Sequence, residues 1–395
     1  MRETVDALFA RAGQQLGYSA REIEDLQRPA AIDRYGIKDG NGSTNPAFRV
    51  RHRIYRHGSQ GGIRVVSFNG RVPTQHKVVD DAIALGGMMS VKLGLTDEQR
   101  GGAKSELLVP EETYKDTQRF RRIVLEDFVL QHIDPVRLEK DGVGPDMKLA
   151  SADMDYMAGV AADVVEAPYL RASYTGKSIM PGREDATSQG MVYAMERAIG
   201  DGAEGKRIAV QGAGNVGQNF ARLALEQLGV RVMAISDRDQ ALVARDIDSR
   251  HPIGLAPDVN VRFGEKSIAG YDDRVAAQLR HPDDLLELDN LDMLVLAGPG
   301  NVITKAKGNQ HKIKAPWILE GANGALDADT IITYSAEGRR VFPGVLYNLG
   351  GVAISCLERD AGLGGTLTEA AVRAHLRRVM HTATDRVVGE ADGDL

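Results

Sequence analysis

Two lysines stand twelve positions apart among small residues. In GGIRVV (61–66), MMSVKLGL (88–95) and RGGAKSELLVP (100–110), Lys92 follows a helical-looking run and Lys104 comes directly after Gly101, Gly102 and Ala103. Chemistry on a 2-oxo acid needs a cation for the carboxylate and a second, desolvated amine near the carbonyl. Burial beside another cation lowers an amine's pKa, so Lys104 could be partly neutral near about pH 8. Read singly, a lysine is more often a solvated surface charge; the glycines around both shift the balance toward the functional reading.

A second constellation is VQGAGNVGQNF (210–220), which spaces Gly212, Gly214 and Gly217 as GxGxxG between an apolar strand pattern and a helix pattern. The first glycine allows a tight turn, the second a close approach to a pyrophosphate and the third close helix packing. The N–H groups of the helix start, from Asn215, Val216 and Gly217, face the anion. Asp237 follows the last glycine by twenty residues, where it could accept hydrogen bonds from ribose hydroxyls and favour NAD. Neighbouring Ser236 and Arg238 could instead receive a 2′-phosphate, and Asp237 could simply be a turn residue. NAD and NADP both stay open.

These residues need elements to hold them. Phe48, Val50, His52 and Ile54 alternate as a strand at the edge of an N-terminal sheet, and AKSELLVP is another short strand. Helical spacing runs through Val79, Ile83, Gly86, Met89 and Leu93, which puts Lys92 near a helix end. It recurs through Met154, Met157, Val160, Ala161 and Val164, which leaves Asp146 in the connection ahead of that helix, and again over 186–199. From Lys206 the texture changes to strand (207–211), helix (215–228), strand (231–236), then strands at 292–297 and 316–320 and an edge through 341–346. That order predicts a parallel, doubly wound sheet. Thr366 and Glu369 have capping-box spacing ahead of a final helix.

At 395 residues, with 43% hydrophobic and 26% charged content, the sequence calls for two cores. A net charge of −6 gives no general attraction to phosphate backbones or anionic lipid, so nucleic-acid and membrane partners are not expected. One cysteine, an N-terminus unlike an export signal and no long apolar run point to a cytoplasmic setting. No metal site is expected.

Taken together, GGIR (61–64), MMSVK (88–92), GGAK (101–104), GPDM (144–147), TGK (175–177), GREDATSQG (182–190), QGAGNVG (211–217), GNVIT (300–304), EGANG (320–324) and NLGGVAIS (348–355) occur in the order they take in the glutamate/leucine/phenylalanine/valine dehydrogenase family, which the chain resembles from about Phe48 to Glu358. The resemblance implies an α/β protein of two domains, a substrate and assembly domain over 1–182 joined by a C-terminal helical segment (355–395) and a Rossmann domain over 183–354, with a closing cleft between them. It implies an NAD- or NADP-dependent amino-acid dehydrogenase that interconverts an L-amino acid with its 2-oxo acid and ammonia, as a homo-oligomer, commonly hexamer or octamer. By the same resemblance Lys92 grips the substrate α-carboxylate, Lys104 is the catalytic lysine and Asp146 the proton-transferring carboxylate. Gln60, Gly61, Asn348 and Ser355 belong to the substrate pocket, and Arg183, Thr187, Asn301 and Asn323 to the cofactor side. Asp146 read bare is also a helix-capping residue, and the asparagines read bare could satisfy loop backbone.

The chain departs from its relatives at several positions. Glutamate-specific members carry a lysine where this chain has Gln60, and members acting on leucine or phenylalanine have an apolar residue there and lack the serine kept here as Ser355. Gln60 and Ser355 favour a polar side chain, glutamate or an analogue of it. A displaced positive charge from Arg51, Arg53, Arg56 or His57 is a further expectation. The stretch 65–77 reads as about eight residues longer than in compact relatives, and Ser105 replaces a glycine. The alternatives are a dehydrogenase for an unusual amino acid in a specialised pathway and a nucleotide-binding regulatory relative without turnover.

Overall fold

The computed structural model describes residues 28–52, 58–96, 98, 100–138, 140–164, 168–245, 277–298, 300, 302–362 and 367–389. The chain divides into two compact units, a first of Arg2–Arg183 and Val352–Ala374 and a second of Glu184–Gly351 and His375–Leu395.

The first unit is built on five strands: β1 (Ala31–Lys38), β2 (Thr44–Arg51), β3 (Ser59–Phe68), β4 (Gly101–Pro110) and β5 (Gly142–Pro145), in the order β1-β2-β4-β3-β5. β1 and β2 pair antiparallel, as do β2 and β4, whereas β3 runs parallel to β4 and β5. Helix α1 (Gln75–Leu95) connects β3 to β4, and such a crossover is what lets consecutive strands lie parallel. Period-two alternation sorts β4 between two layers. Leu107 and Val109 join Ile63 and Val65 in a core with helices α2 (Glu126–Leu138) and α3 (Ser151–Val164), whose Phe128, Val129, Met154 and Met157 are buried there. Leu108 packs with Phe48 and Val78 of α1 on the other face, the face that also carries Lys104 and Glu106.

The sequence reading needs one correction in this unit. The strand expected at the sheet edge, β2, is interior, because β1, whose short alternation IDRYGIK includes Gly36, covers it. Of 53–57 nothing is described. Within the stretch 65–77, β3 extends through Phe68 and α1 begins at Gln75.

In the second unit β6 (Arg207–Gln211), β7 (Arg231–Ser236), β8 (Ala241–Ala244), β9 (Ala277–Arg280), β10 (Met293–Leu296), β11 (Trp317–Glu320) and β12 (Arg340–Phe342) form one sheet in the order β12-β11-β10-β6-β7-β8-β9. Five strands are parallel, and helices α4 (Ala186–Ile199) and α5 (Asn215–Leu228) flank them. The sheet is mixed, however, since β8 and β9 add antiparallel. The reason is local. Asp237 Oδ1 accepts from the N–H of Asp239 and of Gln240, 2.8 Å each, and this turn folds the chain straight back beside β7. The edge expected over 341–346 stops at Phe342, because Pro343 has no N–H for a ladder, and Gly344–Tyr347 is a short helix.

Helix α6 (Gly350–Ala361) and helix α7 (Glu369–Gly389) complete the fold. Thr366 lies outside the described residues; the hydroxyl that accepts at the start of α7 is that of Thr368, from the Ala371 N–H at 3.3 Å. The expectation that all of 355–395 returns to the first unit is corrected from His375 onward. There α7 packs on α4, with Arg197 paired to Asp385 at 2.5 Å and Arg377 and His381 meeting Glu196.

Candidate active site

Glycines set the geometry of the first unit's site. A Cβ on Gly61 would fall inside the Ala103 carbonyl, so β3 and β4 lie as close as two backbones allow. Gly102 is pressed against the Gly86 carbonyl and the Ser90 N–H of α1, and its own N–H donates to Ser90 Oγ at 2.9 Å. Seating α1 this low brings Lys92, in its last turn, to the face of β4 that carries Lys104. Both lysines are buried, at 4% and 5% exposure, which overturns the surface-charge reading of either.

Asp146 reaches the same place from β5. Beyond Pro145 the loop keeps to the β3 ladder: the Asp146 N–H donates to the Ile63 carbonyl (3.0 Å) and the Val65 N–H to the Met147 carbonyl (3.1 Å). Its carboxylate accepts from Lys104 Nζ and from Arg64 Nε, the latter at 3.2 Å, and Arg64 also lies 3.8 Å from Glu106. A Cβ on Gly62 would stand 3.1 Å from the Asp146 Cβ and 3.3 Å from the Pro145 carbonyl oxygen, so the missing side chain is what lets Asp146 close down over β3 beside Lys104. Asp146 is therefore an ion-pair partner of Lys104 and not a helix cap; α3 starts at Ser151.

The electrostatics follow from this packing. Burial lowers the Lys104 ammonium, and Arg64 adds to it against the opposing carboxylates of Asp146 and Glu106. Burial brings Lys92 down to about 7, with Lys104 pushing the same way. For Asp146 burial acts upward, but Lys104 and Arg64 outweigh it and hold the carboxyl at about 2. Burial, helped by Asp146, lifts Glu106 to about 7. The result is an ionised Asp146 beside amines poised to lose a proton, the separation an acid–base pair requires.

Behind this face, Arg49 is wholly buried. It donates to both Asp141 oxygens at 2.8 Å and to the Gly142 and Gly61 carbonyls and Ser105 Oγ, while Asp141 also meets Ser59 (2.5 Å) and His132 (2.8 Å). This network ties β2, β3, β4 and the start of β5 together, and it uses the serine that replaces a glycine after Lys104. Gln60 is 2% exposed; its Nε2 donates to Thr175 Oγ1 (3.2 Å) and its Oε1 accepts from Arg359 Nη1 (2.9 Å). Arg51, expected as a displaced charge, is paired with Asp33 at 2.9 Å, and Arg53, Arg56 and His57 lie outside the described residues.

In the second unit the three glycines do what their spacing implies. Gly212, at φ 103°, backs onto Ala297–Gly298 at the end of β10, and a Cβ on Gly217 would enter the Gly212 carbonyl. Among the described residues a Cβ on Gly214 would meet nothing within 4 Å, the opening that close approach of a pyrophosphate to this helix start would need. The turn lies where the order of the parallel strands reverses, between β6 and β10. Asn215 Nδ2 donates to the Glu184 carbonyl and Ser188 Oγ to the Val216 carbonyl, 2.8 Å each, which fastens the first turn of α4, with Thr187, to the start of α5. Asn323 Oδ1 accepts from Asn348 Nδ2 at 2.9 Å, joining a cofactor-side and a substrate-side expectation in one contact. Asn301 lies outside the described residues. Arg183 and Ser355 belong to the first unit, where Arg183 lies near Gly176 and Glu358.

A sequence model of the Glutamate/Leucine/Phenylalanine/Valine dehydrogenase family matches residues 179–394, and that of the Glu/Leu/Phe/Val dehydrogenase dimerisation domain matches 32–162. The chain belongs to this family. The dehydrogenase is 28% identical over 375 residues to the NADP-specific glutamate dehydrogenase A1 of Halobacterium salinarum, covering 90% of this chain and 83% of that one. Its fold matches the hetero-hexameric glutamate dehydrogenase of Thermus thermophilus (TM-score 0.79, 22% identity, 98% and 89% of the chains). It also matches the Plasmodium falciparum glutamate dehydrogenase (0.78, 19%, 99% and 86%). It is an NAD(P)-dependent amino-acid dehydrogenase of two α/β domains. The open Gly214 and the close-packed Gly212 and Gly217 fit a dinucleotide, which when bound supplies the hydride acceptor or donor.

Sequence reasoning missed Arg64, Glu106, Arg359 and the Arg49–Asp141–His132 network. Arg64 and Glu106 were within reach, because they follow Gly62 and Lys104 by two residues on the same strand faces. Arg359 stands four residues after Ser355 on α6, a helical neighbour by spacing. For Asp141, no local pattern points to an arginine 92 residues away.

Proposed function

We propose that the dehydrogenase acts on L-glutamate or a polar analogue of it, releasing ammonia and the 2-oxo acid and running in reverse when ammonia is plentiful. The observation that carries this reading is the Lys104–Asp146 pair packed over Gly62 and flanked by Lys92 and Arg64. Lys92 binds the α-carboxylate. Lys104, with its pKa lowered, takes a proton from the water that attacks the imino carbon, and Asp146, ionised at neutral pH, carries protons to and from nitrogen. Arg64 holds Asp146 in place and keeps it ionised.

On the cofactor side we assign Gly212, Gly214, Asn215, Val216 and Gly217 to the pyrophosphate, Asp237 to the adenosine ribose, and Thr187, Arg183, Asn301 and Asn323 to the nicotinamide end. Asp237 has Oδ1 engaged in its turn, and Arg238 is exposed and paired with Asp239 at 3.0 Å, so both NAD and NADP remain candidates. Assembly as a homo-oligomer and a cytoplasmic setting belong to the same reading; no helix among the described residues is long and apolar enough to cross a membrane. An unusual polar amino acid is the second reading, favoured by Gln60 in place of a lysine. The test is oxidation of NADH and of NADPH with ammonia and a panel of 2-oxo acids. Turnover with 2-oxoglutarate ahead of branched and aromatic oxo acids is expected, and no turnover with any of them would overturn the assignment.

A further inference from the structure

Gln60, Gly62 and Arg64 project from one face of β3, and their β4 partners Gly102, Lys104 and Glu106 share that face. Moving along it from the Lys104–Asp146 pair, the strand positions are glycine, Gly62, Gly144 and Gly142, and over them lie Asp146, Thr175 and the Gln60–Arg359 pair in turn. At its far end stands Gln60, one two-residue step, about 7 Å, from Gly62. That distance suits an amino-acid side chain of two methylenes and a polar end.

Arg359 occupies this end. Its Nη1 donates to the Ser59 carbonyl and to Gln60 Oε1, both at 2.9 Å, and its Nη2 to the Lys140 carbonyl. A guanidinium has five N–H donors, so the Nε–H and one Nη2–H remain. Of the described acids nearby, Asp141 is taken by Arg49 and His132 and Asp360 by Arg100 at 2.5 Å. Arg359 forms no ion pair among the described residues, although it is partly buried. Ser355, one turn earlier on the same face of α6, is 6% exposed. A partly buried cation with no ion-pair partner among the described residues, braced by a glutamine, is built to receive an anion.

We propose that Arg359, braced by Gln60, is the specificity-determining residue through which the dehydrogenase selects a substrate side chain ending in a carboxylate. The positive charge absent from position 60 is supplied from α6. The proposal rests on the reading of Lys104 and Asp146 as the end of the site that handles the α-carbon. Arg359 also bonds two carbonyls, so a bracing role alone is the competing account, and the test must separate charge from bracing.

The experiment compares kcat/KM for glutamate, glutamine and 2-aminopentanoate in the wild type, R359M and R359K, with thermal unfolding of each. The wild type is expected to prefer glutamate over both uncharged analogues. In R359M the glutamate to 2-aminopentanoate ratio falls by about 10- to 100-fold, as expected for loss of a charge-assisted bond, and R359K recovers part of it. A ratio within about threefold of the wild type in R359M, or a wild type that prefers 2-aminopentanoate, overturns the proposal while leaving the dehydrogenase reading intact. No turnover of any amino acid by the wild type overturns the reading itself and the proposal with it. Should R359M fail to fold, Gln60→Glu answers the same question. A carboxylate at 60 pre-empts Arg359, so the ratio must collapse, and an unaltered ratio counts against the assignment.

Discussion

Replacing Gly102 with alanine tests whether the lysines are placed by backbone contact. A Cβ at 102 would lie 2.1 Å from the Gly86 carbonyl oxygen and 2.3 Å from the Ser90 nitrogen, both backbone atoms of α1 that no rotamer change can move. Normal contact needs more than about 3.4 Å, so α1 must retreat by about 1 Å. Such overpacking costs about 1–3 kcal/mol of stability. The larger effect is on function, because α1 carries Lys92 and displacing a positioning group by about 1 Å costs on the order of 100-fold. Steady-state kinetics should show kcat/KM for the 2-oxo acid down by about 30- to 100-fold, mainly through KM, with the protein folded by thermal unfolding at room temperature. Activity within about threefold of the wild type would refute the claim that the Gly102–Gly86 approach sets the position of Lys92.

Two other outcomes are expected. Lys92 binds a carboxylate only as the ammonium, and its folded pKa of about 7 lies below the ordinary lysine value, so the charged fraction falls as pH rises through about 7. KM for the 2-oxo acid should therefore climb between about pH 6 and about pH 9, and a flat KM over that range contradicts the assignment. Arg49→Met leaves the buried Asp141 carboxylate without its main partner and should lower stability by about 3–5 kcal/mol in urea unfolding, against a loss under about 1 kcal/mol if the network is incidental. Asp141 is held well below the usual carboxylate range; although burial pushes it up, Arg49 and His132 outweigh that. Its contribution is thus present above the unfolded value near about 4 and lost as pH falls below it, so the variant should also lose less stability than the wild type on acidification.

What the sequence disclosed and what it hid divide along a physical line. The boundaries of β6, α5 and β7 were legible because strand alternation, the glycine turn and the 3.6-residue period agree there. Lys92 and Lys104 stood out through the glycines around them, whereas Asp146 was marked only by the resemblance of GPDM (144–147). Asp237 was ambiguous, since one carboxylate serves equally as a ribose acceptor and as the acceptor that turns the chain into β8, and only coordinates show the turn. The bent sheet edge followed from that one residue. Gln60 read as a missing cation because its partner, Arg359, is 299 residues away in sequence; of Arg51, Arg53, Arg56 and His57, expected to supply a displaced charge, Arg51 is committed to Asp33 and the others lie outside the described residues. Glu106 went unnoticed because a lone glutamate in an apolar strand looks like an exposed position until the strand is found buried along nearly its whole length.

The central claim is that the amine at 104, paired with the carboxylate at 146, performs the proton transfers. It is tested most directly by measuring turnover and nucleotide affinity together in Lys104→Ala. Asp146 keeps Arg64 at 3.2 Å, so the variant retains a compensated carboxylate and should fold. Reductive amination of the preferred 2-oxo acid is predicted to slow by about 100- to 10,000-fold, the usual contribution of a positioned acid–base group, with NAD(P)H binding by fluorescence within about threefold of the wild type. Turnover within about tenfold of the wild type would contradict it.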